Sequence, residues 1–378
     1  MGARGISDVG AAVVGTGFIG VVHAEALRRL GVRIVGVVGS APERAAASGI
    51  HPLPPVYESL EQALADPAVD VVHLATPNWL HYPQVTACLA ARKHVVCEKP
   101  LAMTAAQSAE LLELAERAGV VHCTNFNLRF YPQVQEARHR TLAGEVGEVW
   151  DVHGSYLQDW LLLPTDWNWR LDPERGGAVR AVGDIGSHWL DMAQFVTGRR
   201  VTALLADLAT MIPLRQRPAA STETFAEAGG ETTAVQVNTE DVAHLLLRFE
   251  GGARGALVLS QVSAGRRNAL TFEVDGSGGA LAWSSESNEQ LWLGHRDRPN
   301  ETLWRDPSLN KGPVRGSVPA GHPEGFADTF KELYRAVYRA VAAGEPGDGY
   351  PTFRDGHWAN ELADAVLRSN HERTWVEV

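Results

Sequence analysis

Glu98-Lys99-Pro100 follows the apolar run His94 to Cys97 and so puts a lysine at the carboxyl end of a strand, downstream of Gly15-Thr16-Gly17-Phe18-Ile19-Gly20. In an open parallel sheet that end faces the ligand crevice, so Lys99 is expected beside whatever the glycine stretch holds. Far along the chain, Asp184-Ile185-Gly186-Ser187-His188-Trp189-Leu190-Asp191 sets three polar residues at i, i+4 and i+7, one face of a helix. Moving a proton on or off an alcohol while its oxygen gathers charge calls for a group titrating near neutrality and a nearby cation. His188 is the candidate acid/base and Lys99 the cation; Asp184 either fixes the imidazole or shares a proton with Lys99. Each has a plainer reading alone: a surface lysine, a core histidine, a helix cap. Their joint occurrence carries the chemistry. Asp191 extends the same face, as a substrate contact or a further hydrogen-bond partner. No metal site is expected: Asp and His at i, i+4 could hold zinc, but no cysteine is near and the other histidines lack ligand spacing.

The glycines at 15, 17 and 20 follow the β-branched run Val9 to Val14 and open a helix. Their missing side chains permit a tight turn and let backbone N–H groups approach a pyrophosphate at the helix N-terminus, which points to NAD or NADP. The second strand ends Val37-Val38-Gly39-Ser40, without the carboxylate that binds ribose hydroxyls. Ser40 and Arg44 are placed to meet a 2′-phosphate, so both coenzymes stay open. Ala75-Thr76-Pro77-Asn78 closes a later strand and lines the same groove. With Phe18, Ile19, His81, Glu98 and Lys99 these complete the expected cofactor-binding set.

The elements that must position these groups alternate through the first 125 residues. Strands are predicted over Val9 to Val14, Arg33 to Val38, Val69 to Leu74, His94 to Cys97 and Val120 to Thr124. Helices are predicted over Ile19 to Leu30, His81 to Arg92 and Thr104 to Ala118, with two weaker ones before Val69. That rhythm means βαβ units and a parallel sheet. Thr104 with Gln107 reads as a capping box, and Gly119 as the helix stop. Beyond Asn125 the texture is α+β: helices near Val134 to Leu142 and Asp184 to Val196, and strands near Glu148 to Leu157, Val201 to Thr210, Val242 to Phe249, Arg254 to Ser260, Leu270 to Val274 and Gln290 to Leu293. Gly251-Gly252 and Gly276 to Gly279 look like hairpin turns. Arg215 to Thr239 reads as a projecting loop or arm, or as plain disorder. Helices return at Pro323 to Val341 and Asp355 to Ser369. Two domains are predicted, a dinucleotide-binding domain over 8–130 and an α+β domain over 131–378, the C-terminal helices having the option of packing back on the first.

With 378 residues, 45% hydrophobic and 21% charged, the chain has the composition of a globular protein large enough for two cores. A net charge of -11 disfavours nucleic acid and anionic membranes as partners. Three cysteines, Cys88, Cys97 and Cys123, sit in apolar runs and read as buried thiols. No targeting core and no stretch near roughly 18 apolar residues stands out, so a cytoplasmic location is expected. Eleven tryptophans against seven tyrosines is unusual; those at 79, 160, 167, 169 and 189 crowd mid-chain as core or as sugar-stacking faces.

The glycine stretch, Ala75 to Asn78, Glu98-Lys99-Pro100-Leu101-Ala102, Gly176-Gly177 and Asp184 to His188 with Asp191 together resemble the signature set of the glucose-fructose oxidoreductase and inositol dehydrogenase (Gfo/Idh/MocA) family, in order and separation over nearly the whole chain. The resemblance implies a Rossmann domain, a C-terminal α+β domain with a large open, mainly antiparallel sheet, and NAD(P)-dependent hydride transfer at a ring hydroxyl of a sugar, glycoside or cyclitol. Lys99, Asp184 and His188 match the family's catalytic positions. Asn125 and Arg129, in Asn125-Phe126-Asn127-Leu128-Arg129-Phe130, are implied to line the substrate, as are Gln158, Asp159, Trp160, Trp167, Arg170, Asp191 and His322. Ala178 stands where a third glycine is usual, and Gly39 where NAD-linked members carry an acid. Family members also include redox-neutral glycosidases, hydride-shuttling sugar enzymes and non-catalytic nucleotide-sensing regulators, which are the alternative readings. One sheet face left open by a single helical layer implies a homodimer or homotetramer.

Overall fold

The computed structural model describes residues 4–41, 43, 45, 48–219, 231–345, 347 and 349–378. The chain divides into two compact units, Met1–Asn127 with Ala327–Asn360, and Leu128–Phe326 with Glu361–Val378.

The first unit is built on six parallel strands in the order β3-β2-β1-β4-β5-β6. They are β1 (Gly10–Val14), β2 (Arg33–Val38), β3 (Val56–Tyr57), β4 (Val71–Leu74), β5 (His94–Cys97) and β6 (His122–Thr124). Every residue of β1 and β4 is buried, which is why these runs show no alternation and are apolar but for His73: helices cover both faces. The crossovers are α1 (Phe18–Arg29), α2 (Leu60–Ala65), α3 (Asn78–Ala90) and α4 (Ala105–Ala118). α3 begins three residues before the expected His81, because Pro77 supplies an extended N-cap. At α4 the Thr104 hydroxyl accepts from Gln107 N at 3.2 Å, and Gly119 closes the helix at φ 65°. The reciprocal bond goes one residue further out than a capping box predicts: Gln107 Oε1 accepts from Met103 N, not Thr104 N. Residues 327–360 return to this unit, and Phe353, fully buried, joins the core of Leu74, Val95, Cys97, Leu101 and Leu111.

The second unit carries a nine-stranded sheet in the order β16-β15-β14-β13-β7-β12-β11-β8-β17. Its strands are β7 (Val149–Leu157), β8 (Val201–Ala209), β11 (Val242–Phe249), β12 (Arg254–Ser260), β13 (Ala269–Gly276), β14 (Ala280–Ser284), β15 (Gln290–Gly294), β16 (Glu301–Trp304) and β17 (Val376–Glu377). All pairings are antiparallel except β7 with β12. Both glycine turns do join hairpins, β11–β12 and β13–β14. β14 and β16 escaped the sequence reading because Ala-Leu-Ala-Trp-Ser and Glu-Thr-Leu-Trp are short and give too few residues for an alternation to show. Helices α5 (Pro132–Leu142) and α6 (Ser187–Thr197) pack on one face of this sheet. The other face is open: along β11, and along β12 up to Leu259, exposed or partly buried residues alternate with buried ones.

Within 215–239 the hairpin β9 (Leu214–Pro218) and β10 (Thr232–Gln236) is ordered, and 220–230 lie outside the described residues. Its root is held by Arg215, fully buried, whose Nη2 donates to Asp241 Oδ1 at 2.7 Å; Arg180 donates to the same oxygen.

In the first unit His122 Nδ1 accepts from Phe353 N at 3.1 Å, a bond that needs the neutral ring. Burial pushes this imidazole from 6.5 down to about 4. Between those values the unfolded ring takes up a proton and the folded one does not, so stability falls on acidification, by on the order of 3 kcal/mol when complete. Urea midpoints should therefore drop from pH 7 to pH 4, and His122→Asn should lessen that drop; equal slopes for both proteins would contradict the assignment.

Candidate active site

The glycine stretch forms a cradle whose three positions differ. Gly15 has φ +97°, and a Cβ there would lie 2.4 Å from Ala75 O; a Cβ on Gly20 would lie 2.0 Å from Gly15 O. These two glycines are required by the protein's own backbone. Around Gly17 no atom lies within 4 Å of a Cβ position, and as N-cap of α1 it offers no side chain to the N–H groups of the first turn. The open middle position at a bare helix N-terminus fits a pyrophosphate. Phe18 is 55% exposed and Ile19 partly so. A Cβ on Gly39 would meet Ala45 Cβ at 2.9 Å and Ala41 O at 3.0 Å, so the position where an acidic residue is usual has little room. Ser40 is exposed, and Arg44 lies outside the described residues.

The loop Ala75-Thr76-Pro77-Asn78 is tied on both sides. Ala75 N donates to Val14 O at 2.8 Å, and Thr76 Oγ1 donates to Gln84 Oε1 at 2.6 Å. His81 is fully buried, its Nε2 2.8 Å from Thr76 O and its Nδ1 2.7 Å from Pro100 O. Burial pushes this imidazole down while the two carbonyls pull the other way. With each nitrogen facing one of these carbonyls, His81 sits between the 76 loop and the 100 loop and has no ring atom left for a nucleotide.

Glu98 likewise turns inward. Its Oε1 accepts from His23 Nε2 at 3.1 Å and from Asn125 Nδ2, and its Oε2 accepts from Lys99 N at 3.2 Å. The lysine backbone is thus held by the preceding side chain. Asn125 Oδ1 is buried and without a partner among the described residues, an orphaned acceptor of the kind that a ligand or water satisfies. His23, in the first turns of the glycine-loop helix, and its neighbours His73 and Tyr338 were missed by the sequence reading. The spacing of His23 from Gly20 was the one available signal.

In the second unit α6 is preceded by one wide turn over Val182–Gly186, closed by Ser187 N–H reaching Val182 O five residues back. Asp184 lies in this wide turn rather than in the helix proper, so its phase relative to His188 and Asp191 departs from the simple i, i+4, i+7 face. Glu240, buried, holds the approach: Oε1 accepts from Arg180 N and Val182 N, both at 2.8 Å. Asp184 Oδ1 lies 3.2 Å from Arg170 Nε and its Oδ2 accepts from Gln261 Nε2 at 2.9 Å. Gln261 also donates to Gln158 Oε1 at 3.3 Å, which accepts from Trp160 Nε1 at 2.8 Å. Gln158 Nε2 and the Tyr156 hydroxyl both donate to Asn268 Oδ1. Trp160 and Trp167 pack on Leu161, Leu171 and Val237, and Arg170 stacks 4.3 Å over Trp169.

Arg129 and Asp191 pair with each other through two bonds, Nε to Oδ2 at 2.7 Å and Nη2 to Oδ1. Asp159 is taken up by Gly265 N at 3.0 Å and Arg267 Nη1 at 3.3 Å. His322 is exposed and its ring reaches only Pro319 O, at 3.3 Å, among the described residues; it joins neither group. Trp189 is fully buried, with Nε1 donating to Thr271 O at 2.8 Å, and is core. Among the described residues the one grouping of metal-type ligands is Asp151, His153 and Asp275, whose ligand atoms fall within 4.8 Å on the open sheet face. Cross-strand register creates it, so linear spacing could not reveal it.

A glycine cradle and a braced lysine on a parallel sheet, with an α+β unit that carries a histidine at a helix start, make up the plan of a pyridine-nucleotide-linked oxidoreductase. Residues 9–126 match the family model for the oxidoreductase family with NAD-binding Rossmann fold, and 134–282 match the GFO/IDH/MocA C-terminal domain. The chain belongs to the GFO/IDH/MocA oxidoreductase family. It is 30% identical over 332 residues to levoglucosan dehydrogenase of Pseudarthrobacter phenanthrenivorans, covering 83% of this chain and 81% of that protein. A structure of levoglucosan dehydrogenase in complex with NADH and levoglucosan superposes with a TM-score of 0.87 at 27% identity, over 98% of this chain and 99% of that one. An inositol dehydrogenase homologue from Azotobacter vinelandii, complexed with NADH and myo-inositol, gives 0.82 at 26% identity, over 98% and 97%.

The cradle yields a contrast. Gly17→Ala should keep its melting temperature while binding NADH about tenfold or more weakly, because the methyl enters the ligand's space. Gly15→Ala should lower the melting temperature itself. Nucleotide titration and thermal melts check both; a Gly17→Ala protein binding NADH normally would refute the placement.

Proposed function

We propose that the protein is an NAD(P)-dependent dehydrogenase that moves a hydride between a ring hydroxyl-bearing carbon of a sugar, glycoside or cyclitol and the nicotinamide. The observation that carries the reading is the main chain at Lys99, fixed by Glu98 at the end of β5 in the same unit as the cradle. When bound, the nucleotide supplies the hydride acceptor or donor. Lys99 then places positive charge where the substrate oxygen becomes anionic, and His188 takes or returns the hydroxyl proton. Asp184, held by Arg170 and Gln261, keeps a fixed negative charge one turn from His188. Gln158, Trp160, Arg129 and Asp191 are the candidates for ring hydroxyls and a ring face, with Asn125 toward the nicotinamide. Coenzyme preference leans on Gly39 and Ser40: with no carboxylate to repel a 2′-phosphate, both coenzymes are accepted.

A panel of sugars, anhydrosugars and cyclitols run with NAD and NADP, read at the absorbance of the reduced nicotinamide, tests this. Lys99→Ala and His188→Asn should each cut turnover by about two to three orders of magnitude with nucleotide binding retained. Normal turnover in either would overturn its role, and activity without added coenzyme would favour the redox-neutral alternative.

The protein is also proposed to be a homo-oligomer that covers the open face of the nine-stranded sheet with a second copy. That face exposes Leu246 and Val258 beside Arg248 and Arg254, with Asp151, Glu273 and Asp275 on neighbouring strands, so it offers apolar surface and both signs of charge for an isologous contact. No described helix is long and apolar enough to cross a membrane, and the three cysteines are free and buried, which fits the reducing cytoplasm. Light scattering should find a dimer or tetramer at micromolar concentration and Leu246→Glu should shift it toward monomer; a monomeric parent protein would refute the assignment.

A further inference from the structure

In the first unit the Glu98 carboxylate is the end of a line of buried polar groups that the reaction itself does not use. Its Oε1 faces His23 Nε2 at 3.1 Å; His23 Nδ1 faces His73 Nδ1 at 3.2 Å; His73 Nε2 faces the Tyr338 hydroxyl at 2.9 Å. His23, His73 and Tyr338 are all 0% exposed. Each neutral imidazole has one N–H and one lone pair, so the direction of the whole line is set by its ends. At one end stands an acceptor, the carboxylate. At the other, Tyr338 O–H has only His73 to donate to among the described residues, and reversing the line would orphan that buried donor. Both ends therefore give one order: Tyr338 O–H to His73, His73 Nδ1–H to His23, and His23 Nε2–H to Glu98.

Phe330, Tyr334 and Tyr338 project from one face of helix α7 (Phe326–Ala343) and keep the imidazoles dry: the Tyr334 ring lies 4.7 Å from that of His73 and 5.2 Å from that of His23, and Phe330 lies 5.7 Å from His23. Burial holds the His73 ring neutral and drives the Tyr338 phenol well up, in keeping with uncharged links. With its other neighbours, Asn125 Nδ2 and Lys99 N, Glu98 is locked in one rotamer.

We infer that Tyr338, His73 and His23 are positioning residues for Lys99: a one-way hydrogen-bond line that fixes Glu98 and, through the Glu98–Lys99 backbone bond, sets where the lysine ammonium stands. The inference rests on the reading of Lys99 as a catalytic group. Its signature is donor identity rather than volume. A glutamine at 23 presents an N–H near the place of His23 Nε2, whereas leucine fills the space without one.

The test uses the full-length protein with steady-state kinetics on a substrate found in the panel, NADH titration, and trinitrophenylation of Lys99 followed by peptide mass spectrometry on the nucleotide-free protein. His23→Leu should lower kcat about tenfold with KM and the NADH Kd within about twofold, and should change the Lys99 labelling rate at least about threefold; His23→Gln should restore most of both. A role confined to stability would lower the melting temperature of the variants and leave kcat per folded molecule and Lys99 labelling unchanged, which would overturn the inference. Should His23→Leu fail to fold, Tyr338→Phe, which keeps the ring and removes one oxygen, carries the test: a fall in kcat of about threefold supports the line and unchanged kcat with unchanged labelling refutes it. If Lys99→Ala itself turns over normally, the functional reading fails; if Lys99→Ala is dead and folded His23→Leu is normal, only this inference fails.

Discussion

A carboxylate carried into a dry interior must be met by donors, and Glu98 is where that requirement organises the first unit. Its partners come from three places in the chain: His23 from the helix that follows the glycine cradle, Asn125 from the end of β6, and Lys99 N from its own loop. His23 stands one turn after Gly20, so the helix whose N-terminus must meet the nucleotide is registered against the loop that carries the lysine. His81 makes the matching tie, from the Thr76 carbonyl to the Pro100 carbonyl. Two histidines thus hold three loops at the carboxyl ends of parallel strands. A sheet buried on both faces can present chemistry only at those ends.

The second unit meets the same constraint with arginine. Asp241 accepts from both Arg180 and Arg215, all three side chains fully buried, while Glu240 beside it caps the backbone of residues 180 and 182. Burial pushes the Glu240 carboxyl up, and the backbone N–H bonds pull it back. Removing one partner from such a cluster costs about 3–5 kcal/mol, because a charge is left buried alone. The cluster therefore fixes at once the root of the hairpin β9–β10 and the wide turn that delivers Asp184. Fold and site share their most expensive residues.

Much of this was legible in the residues. The parallel strands read as mainly apolar runs without alternation because both faces are covered, and the β11 and β12 bounds were plain because alternation on a half-open sheet is a strong signal. Gly119 and Thr104 announced the ends of α4 through local backbone chemistry. What was not legible arises from pairing across distance. The cross-strand group of Asp151, His153 and Asp275 depends on register; β14 and β16 are too short to show a pattern and are defined by the strands they pair with. A helix pattern read from Asp184 assumes an even turn, and the wide turn at Val182–Gly186 breaks that count. His81 and Glu98 had the right address, on loops at strand ends, while their side chains point inward. Position along a strand tells which loop faces the ligand; it does not tell which atoms of the loop are already spoken for.

The make-up of the network around Asp184 bears on what it can recognise. Gln158, Gln261 and Asn268 are amides, Trp160 donates a single N–H, and Tyr156 adds a phenol that burial holds protonated. The two charged members, Arg170 and Asp184, neutralise each other at 3.2 Å. A site for a carboxylated or phosphorylated substrate would leave an unmatched arginine or lysine for the anion. Neutral amides with both donor and acceptor faces match hydroxyl groups, which are themselves both donor and acceptor. Under the proposed function, a missing or inverted hydroxyl would leave such an amide short of a partner, a penalty of about 1–3 kcal/mol where the group is buried.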